Sequence, residues 1–414
     1  MTSARGAARS TVLALARRLE WGTLVIDDEL GTRHVCGAGA PTVEVRVRDD
    51  RAWAAVLLRG SIGLGESYAQ GWWECDDLTS LLRIVFTALR PVTRALDRMG
   101  TTTARFADPV RRLGVTRGGR DRRNVRAHYD ISNEFFALML DPTMTYSCGL
   151  FARPQVSLAD AQRAKLDRIC QLLELSPDDE LLEIGSGWGS FAIHAASSYG
   201  CRVTTTTISE AQFEVARDRV ASAGLTHLIT VRPDHYRELT GRYSKVASIE
   251  MFEAVGWRDH DEFFEACSRL LDPHGLMALQ TIVIEEGAFD RTKVHQDFIK
   301  RFIFPGGCLP SVTALVSSAA RPGLQLLELH DIGRHYPETL RRWRSSLDAQ
   351  RENVTRLGLD ESFQRMWTFY LCYCEAGFIQ GRVSDVQVLL SNRSARETTA
   401  AAWTTPRRRV ATTG

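Results

Sequence analysis

Gly185, Gly187 and Gly189 follow a short apolar run, Leu181-Leu-Glu-Ile184, that carries an acid at Glu183. Glycine accepts positive φ and puts no side chain in a ligand's way, so G-x-G-x-G makes a tight turn that a ligand can approach closely. Ser190–Ser197 reads as the start of a helix, so the turn joins a buried strand to a helix. Glu183 then sits where the strand ends, within reach of a ligand's polar group. A dinucleotide turn would read G-x-G-x-x-G with an acid about 20 residues on. Here the acid precedes the glycines, although Glu210 stands at roughly the dinucleotide distance. Taken alone, the turn admits a nucleotide ligand of either kind, or none.

Such a turn needs a sheet behind it. Glu180–Ile184, Arg202–Thr206, Leu228–Val231, Val246–Ile249 and Leu276–Ile284 read as strands. Leu158–Leu175, Glu210–Ala223, Glu262–Leu271 and Phe363–Phe378 read as helices, and Leu324–His330 and Val386–Leu390 as strands that close the sheet. Alternating strands and helices predict an α/β fold, a doubly wound parallel sheet with helices on both faces. Ligands in such folds bind beyond the carboxyl ends of the strands. Gly185, Ile208, Tyr236 and Glu253 fall there.

Ahead of it, residues 1–99 form a smaller α+β unit. Thr23–Ile26 and Val43–Val47 alternate like strands, and Asp77 caps an expected helix over Leu78–Met99. That helix reads as packed on its own domain or as an interfacial helix at a lipid surface. Residues 100–127 read as a linker rich in arginine, including Arg122 and Arg123, which would suit anionic phosphate on a membrane. The tail, 392–414, is polar and reads as disordered.

The 414 residues suffice for two domains, and 44% hydrophobic with 25% charged residues is ordinary for a globular protein. A net charge of +2 gives no argument for nucleic acid. The nine cysteines lack C-x-x-C ligand spacing, which fits reduced thiols in the cytoplasm. His128, His194 and His260 have no metal-binding spacing. No apolar run approaches about 18 residues, so no membrane span is expected.

Further stretches are more specific. His128-Tyr-Asp-Ile-Ser-Asn133, Leu140–Cys148, Ser248-Ile-Glu-Met-Phe-Glu-Ala-Val-Gly256, Phe298–Ser311, Tyr370 with Glu375-Ala-Gly377, and Gly60–Trp73 stand in a fixed order. The glycine turn resembles the first motif of class I S-adenosylmethionine (SAM) methyltransferases. Together the stretches resemble the cyclopropane-fatty-acyl-phospholipid synthase family, over residues from about 20 to 391. The resemblance implies methyl transfer from SAM to the cis double bond of an acyl chain in membrane phospholipid. A carbocation follows. Proton loss then gives a cyclopropane or, alternatively, a methylene branch.

By this resemblance Glu183, Gly185, Gly187 and Gly189 surround the amino-acid part of SAM, with Tyr146 and Ser147 closing over it. Ile208, Gln212 and Tyr236 contact the adenosine, although His235 stands where the family usually has Asp. Tyr129, Tyr146 and Tyr370 match active-site tyrosines, whose faces suit a cation. The family's base is a bound bicarbonate, whose ligands map onto Cys148, Glu253, Gln280, the backbone of Ile282, and Tyr370. The best-known synthases carry His at position 280. Gln can donate a hydrogen bond there but cannot become a cation, which leaves the product branch open. The implied location is the cytoplasm, peripheral on the inner membrane face. A homodimer, and a reductase acting on a methylene product, are further implied partners. Two other classes stand beside this one: a methyltransferase for a small soluble molecule, and a lipid-binding protein without activity.

Overall fold

A computed structural model describes residues 2–103 and 132–392 of the chain. Helix α1 (Thr2–Ala16) precedes strands β1 (Gly22–Asp27), β2 (Arg33–Ala38) and β3 (Thr42–Val47). The alternation in β3 buries Val43, Val45 and Val47 on one face, as a period of two requires. Helix α2 (Arg51–Ala69), β4 (Trp73–Cys75) and helix α3 (Leu78–Thr103) complete the unit. Its sheet runs β2-β1-β3-β4, with β1 and β3 parallel. Sequence patterning misses α1, β2 and α2. Strand β2 fully buries only Cys36, and α2 is broken at Gly60, whose φ is +53°. Neither therefore shows a clean period.

The second unit contains α4 (Asn133–Met139), α5 (Leu158–Leu172), β5 (Glu180–Ile184), α6 (Ser190–Tyr199), β6 (Arg202–Thr206), α7 (Glu210–Ser222), β7 (Ile229–Arg232), β8 (Tyr243–Ile249), α8 (His260–Leu270) and β9 (Leu271–Ile284). After these come α9 (Val312–Ala320), β10 (Gln325–Asp331), α10 (Tyr336–Ala349), α11 (Arg351–Arg356), α12 (Glu361–Ile379) and β11 (Val383–Ser391). The sheet order is β10-β11-β9-β8-β5-β6-β7. Strands β5 to β9 are mutually parallel. The expectation of a wholly parallel sheet fails at β11, which lies antiparallel to both β9 and β10. A turn at Gly381 (φ +63°) sends the chain straight back from α12. The strand order reverses between β5 and β8, which opens the cleft at their carboxyl ends. Ser157, Ser209, Ser311 and Asp360 cap α5, α7, α9 and α12 with their side chains.

The two units meet on α12. Both α2 and α3 pack against it, so the apolar stripe of α3 covers the second unit rather than a lipid surface over its described side chains. Gly65 of α2 faces Phe298 and Phe369, and a Cβ there would lie 2.3 Å from the Phe298 ring. Thr79 of α3 and Arg344 of α10 both bind Glu375 Oε2, at 2.9 and 2.6 Å. The Glu375 side chain is 9% exposed. Removing one partner of such a pair costs about 3–5 kcal/mol, because the other charge stays buried.

Gly65→Val is expected to destabilise the protein by about 1–3 kcal/mol through overpacking at this junction. Thermal unfolding measures it, and an unchanged melting temperature would contradict the packing described.

Candidate active site

The carboxyl ends of β5 to β9 open into one connected cavity of 1460 Å³. Its polar end is built on the glycine turn. Gly185, Gly187 and Gly189 have φ of +98°, +48° and +83°, so the sequence-predicted left-handed turn is present. The N–H groups of Gly185 and Ser186 donate to the Thr206 carbonyl at 3.0 and 2.9 Å, pinning the turn to β6. Gly185 and Gly187 line the cavity, whereas Gly189 does not. A Cβ at Gly189 would sit 3.4 Å from Ala216 Cβ, so this glycine lets α6 approach α7 instead.

Glu183 lines the same end, 2% exposed. Thr205 Oγ1 donates to its Oε2 at 2.5 Å. Burial pushes its carboxyl up to about 8, against the pull of Thr205 and the Lys165 ammonium. Lys165 of α5 is wholly buried and donates to Ser147 Oγ at 2.6 Å. Sequence reasoning missed it. The signal was a lysine at i+4 from Ala161 and i−4 from Ile169, on the buried stripe of α5.

Ile208, Gln212 and Tyr236, which the resemblance assigns to the adenosine, line the adjoining wall. Gln212 accepts from Thr207 Oγ1 at 3.0 Å. His235 takes over a capping task that an aspartate can perform: its Nδ1 accepts from the Arg237 N–H at 3.2 Å. Its ring lies 4.5 Å from that of Tyr236.

Beyond the glycine turn, Tyr146 and Tyr370 share a 2.8 Å hydrogen bond between hydroxyls. Phe136, Trp343, Trp367 and Phe304 pack around them. Burial holds the Tyr370 phenol well above its ordinary value, so it stays neutral. Glu253 Oε1 accepts from Ile282 N at 2.5 Å and from Thr281 Oγ1 at 2.9 Å. Its Oε2 is buried with no partner. Burial, then the neighbouring charge of Glu250, raises Glu253 to about 8. A neutral carboxylic acid therefore faces this end of the cavity at neutral pH.

Cys148 and Gln280 lie behind the cavity wall rather than on it. The Cys148 N–H and Gln280 Nε2 both donate to Glu250 Oε1, each at 2.8 Å. Burial raises the Cys148 thiol well above its ordinary value, so it is not a nucleophile. Of the expected bicarbonate ligands, only Glu253, Ile282 and Tyr370 reach the cavity. The Ile282 N–H ends on Glu253, and the donors of Cys148 and Gln280 end on Glu250. Glu250 thus holds the Cys148 and Gln280 donors that the resemblance gives to bicarbonate, while the Glu253 carboxyl and Tyr370 remain turned to the cavity. Glu250 and Tyr336, which bind each other, were not singled out from sequence. Tyr129 and the arginine linker lie outside the described residues.

The mycolic acid cyclopropane synthetase family matches residues 116–388. The chain belongs to this family. The tuberculostearic acid methyltransferase UfaA1 of Mycobacterium tuberculosis is 38% identical over 84% of this chain and 82% of its own length. The cyclopropane-fatty-acyl-phospholipid synthase of Escherichia coli K12 is 35% identical over 84% of this chain and 87% of its own. Among solved structures, the mycolic acid cyclopropane synthase CmaA1, complexed with SAH and CTAB, superposes with a TM-score of 0.61 at 31% identity. It covers 65% of this chain and 98% of its own. Family membership makes the protein a SAM-dependent methyltransferase, and the glycine turn with Glu183 fits the amino-acid end of that cofactor.

An ammonium beside Glu183 favours its ionised form. With the free carboxyl at about 8, SAM binding that sets its ammonium beside Glu183 is expected to expel a proton at pH 7. Affinity is expected to tighten by about tenfold from pH 6 to pH 7. Calorimetry at pH 7 in two buffers of different ionisation enthalpy should register the released proton, and Glu183→Gln should abolish it. A binding heat independent of buffer would contradict the assignment.

Proposed function

We propose that the enzyme methylates the cis double bond of an unsaturated acyl chain carried by membrane phospholipid, and that the product is a cyclopropane fatty acyl chain. The observation that carries this reading is the cavity. From the glycine turn it passes the paired tyrosines and continues into the interior of the first unit, along Leu24, Val45, Trp53, Leu81 and Val85. An acyl chain can bury its CH₂ groups there at about 0.8 kcal/mol each. A small soluble substrate would have no use for the space.

SAM supplies an electrophilic methyl group. The protein's task is to hold a weakly nucleophilic alkene against it, in line and dry. The faces of Tyr146, Tyr370 and Phe304 stabilise the cation without offering a nucleophile to trap it. The neutral state of Tyr370 serves the same end, since a phenolate would capture the carbocation. Among the described residues no helix is long and apolar enough to cross a membrane. The substrate therefore has to be drawn from the bilayer by a protein bound at its surface. We assign this to the first unit and the basic linker, on the inner face of the membrane.

The methylene-branched product is the second reading. It is favoured by the similarity to a tuberculostearic acid methyltransferase, and it would call for a reductase afterwards. Expression in a host fed oleate and lacking its own synthase separates the readings. Mass spectrometry of the phospholipid acyl chains should show a gain of one CH₂. Resistance of that product to ozonolysis marks a cyclopropane, and cleavage at a terminal methylene marks the branch. No mass gain would move the substrate to the soluble class.

A further inference from the structure

Glu250 is the first residue beyond β8, and it holds φ +47°. A side chain in this left-handed region costs about 1 kcal/mol or more relative to glycine, and such strain gathers at functional sites. Its N–H is tied to the Gln280 carbonyl at 2.8 Å, which fixes the backbone and sends the side chain into the cavity wall. There its carboxylate collects three donors. Cys148 N–H and Gln280 Nε2 reach Oε1 at 2.8 Å each, and Tyr336 OH reaches Oε2 at 2.5 Å.

Gln280 is itself aimed. Gln387 Nε2 donates to its side-chain Oε1 at 3.0 Å, and its own Nε2 also donates to Asp385 Oδ2 at 2.9 Å. The amide therefore cannot turn to present its oxygen to Glu250. Met251, the next residue, presses on Gly185, with its Cγ 2.8 Å from where a Cβ would stand. Glu250 is thus held between the SAM turn and the tyrosine pair.

We propose that Glu250 is the proton acceptor of the reaction, a built-in carboxylate on two of the donors, Cys148 and Gln280, that the family resemblance assigns to bicarbonate. This rests on the acyl-chain reading above. The alkene π pair forms the bond to the methyl carbon as the sulfonium C–S bond breaks, its pair staying on sulfur. A proton then passes from the new methyl to Glu250 Oε2, which has a lone pair beyond the one Tyr336 uses. The C–H pair closes the cyclopropane or, after a hydride shift along the chain, becomes the methylene double bond. The surroundings suit this division of labour. Burial and the charge of Glu250 hold Asp385 well above its ordinary range and Glu253 at about 8. Those two remain acids, and the donors of Cys148, Gln280 and Tyr336 converge on Glu250.

The test compares the native protein with Glu250→Gln and Glu250→Gly on unsaturated phospholipid vesicles, in CO₂-free buffer and with added bicarbonate. Native turnover should not depend on bicarbonate. Glu250→Gln should lose at least about 100-fold in turnover while SAM affinity and melting temperature stay near native. Glu250→Gly, which relieves the backbone and bares the Cys148 and Gln280 donors, should regain turnover only with bicarbonate. Native turnover that collapses without bicarbonate overturns this inference alone, as does a near-native Glu250→Gln rate. No turnover by the native protein in either buffer overturns the substrate reading, and the inference with it.

Discussion

A carboxylate cannot stay charged beside an apolar cavity unless its oxygens are hydrogen-bonded, because the cost of stripping its water is several kcal/mol. Glu250 meets that condition with a backbone N–H, an amide and a phenol. The donors come from three places: the loop before α5, the middle of β9, and the start of α10. Satisfying one charge therefore fixes how these segments sit against β8. The antiparallel insertion of β11 belongs to the same requirement, since it brings Asp385 and Gln387 beside Gln280. From there Arg168 continues the chain of hydrogen bonds outward, donating to Gln387 Oε1 at 2.8 Å.

Around this charge the site separates into two electrostatic ends. Glu183 and Lys165 stand at the end built on the glycine turn, where each charge acts on the other. Glu253 faces the cavity beyond the glycine turn and Asp385 lies behind its wall, and burial holds both carboxyls above their ordinary range. The tyrosine pair lies between them as a neutral aromatic surface. A site of this kind would suit the carbocation of the proposed reaction, because few of its groups are free nucleophiles. Cys148 sits behind the wall with its thiol protonated.

Much of this was legible in the sequence. Strands β5 and β6 fall on the residues that their apolar and β-branched runs mark, because a strand buried on both faces has a strong local signal. Strand ends placed Gly185, Ile208 and Tyr236 at the cleft and the resemblance added Gln212; these residues and Glu183 line the cavity. What failed to show was set by tertiary contact. Helix α2 is hidden because its glycines answer to Ala55, Phe298 and Phe369 rather than to helical period. The orientation of β11 has no local code. Gln280 was expected to face an anion from solvent, and the sequence could not show that Glu250 reaches it first. Lys165 and Glu250 had readable signals, a charge on an apolar stripe and an acid at a strand end, whereas Tyr336 had none.

The measurement closest to the centre of this chemistry uses SAM with a trideuterated methyl group and reads the mass of the methylated acyl chain. Proton removal from the newly delivered methyl, inside the cavity that Glu250 lines, leaves two of the three deuteriums, so the chain should gain CD₂. Retention of all three deuteriums, with the hydrogen lost from the acyl chain itself, would contradict that sequence of events.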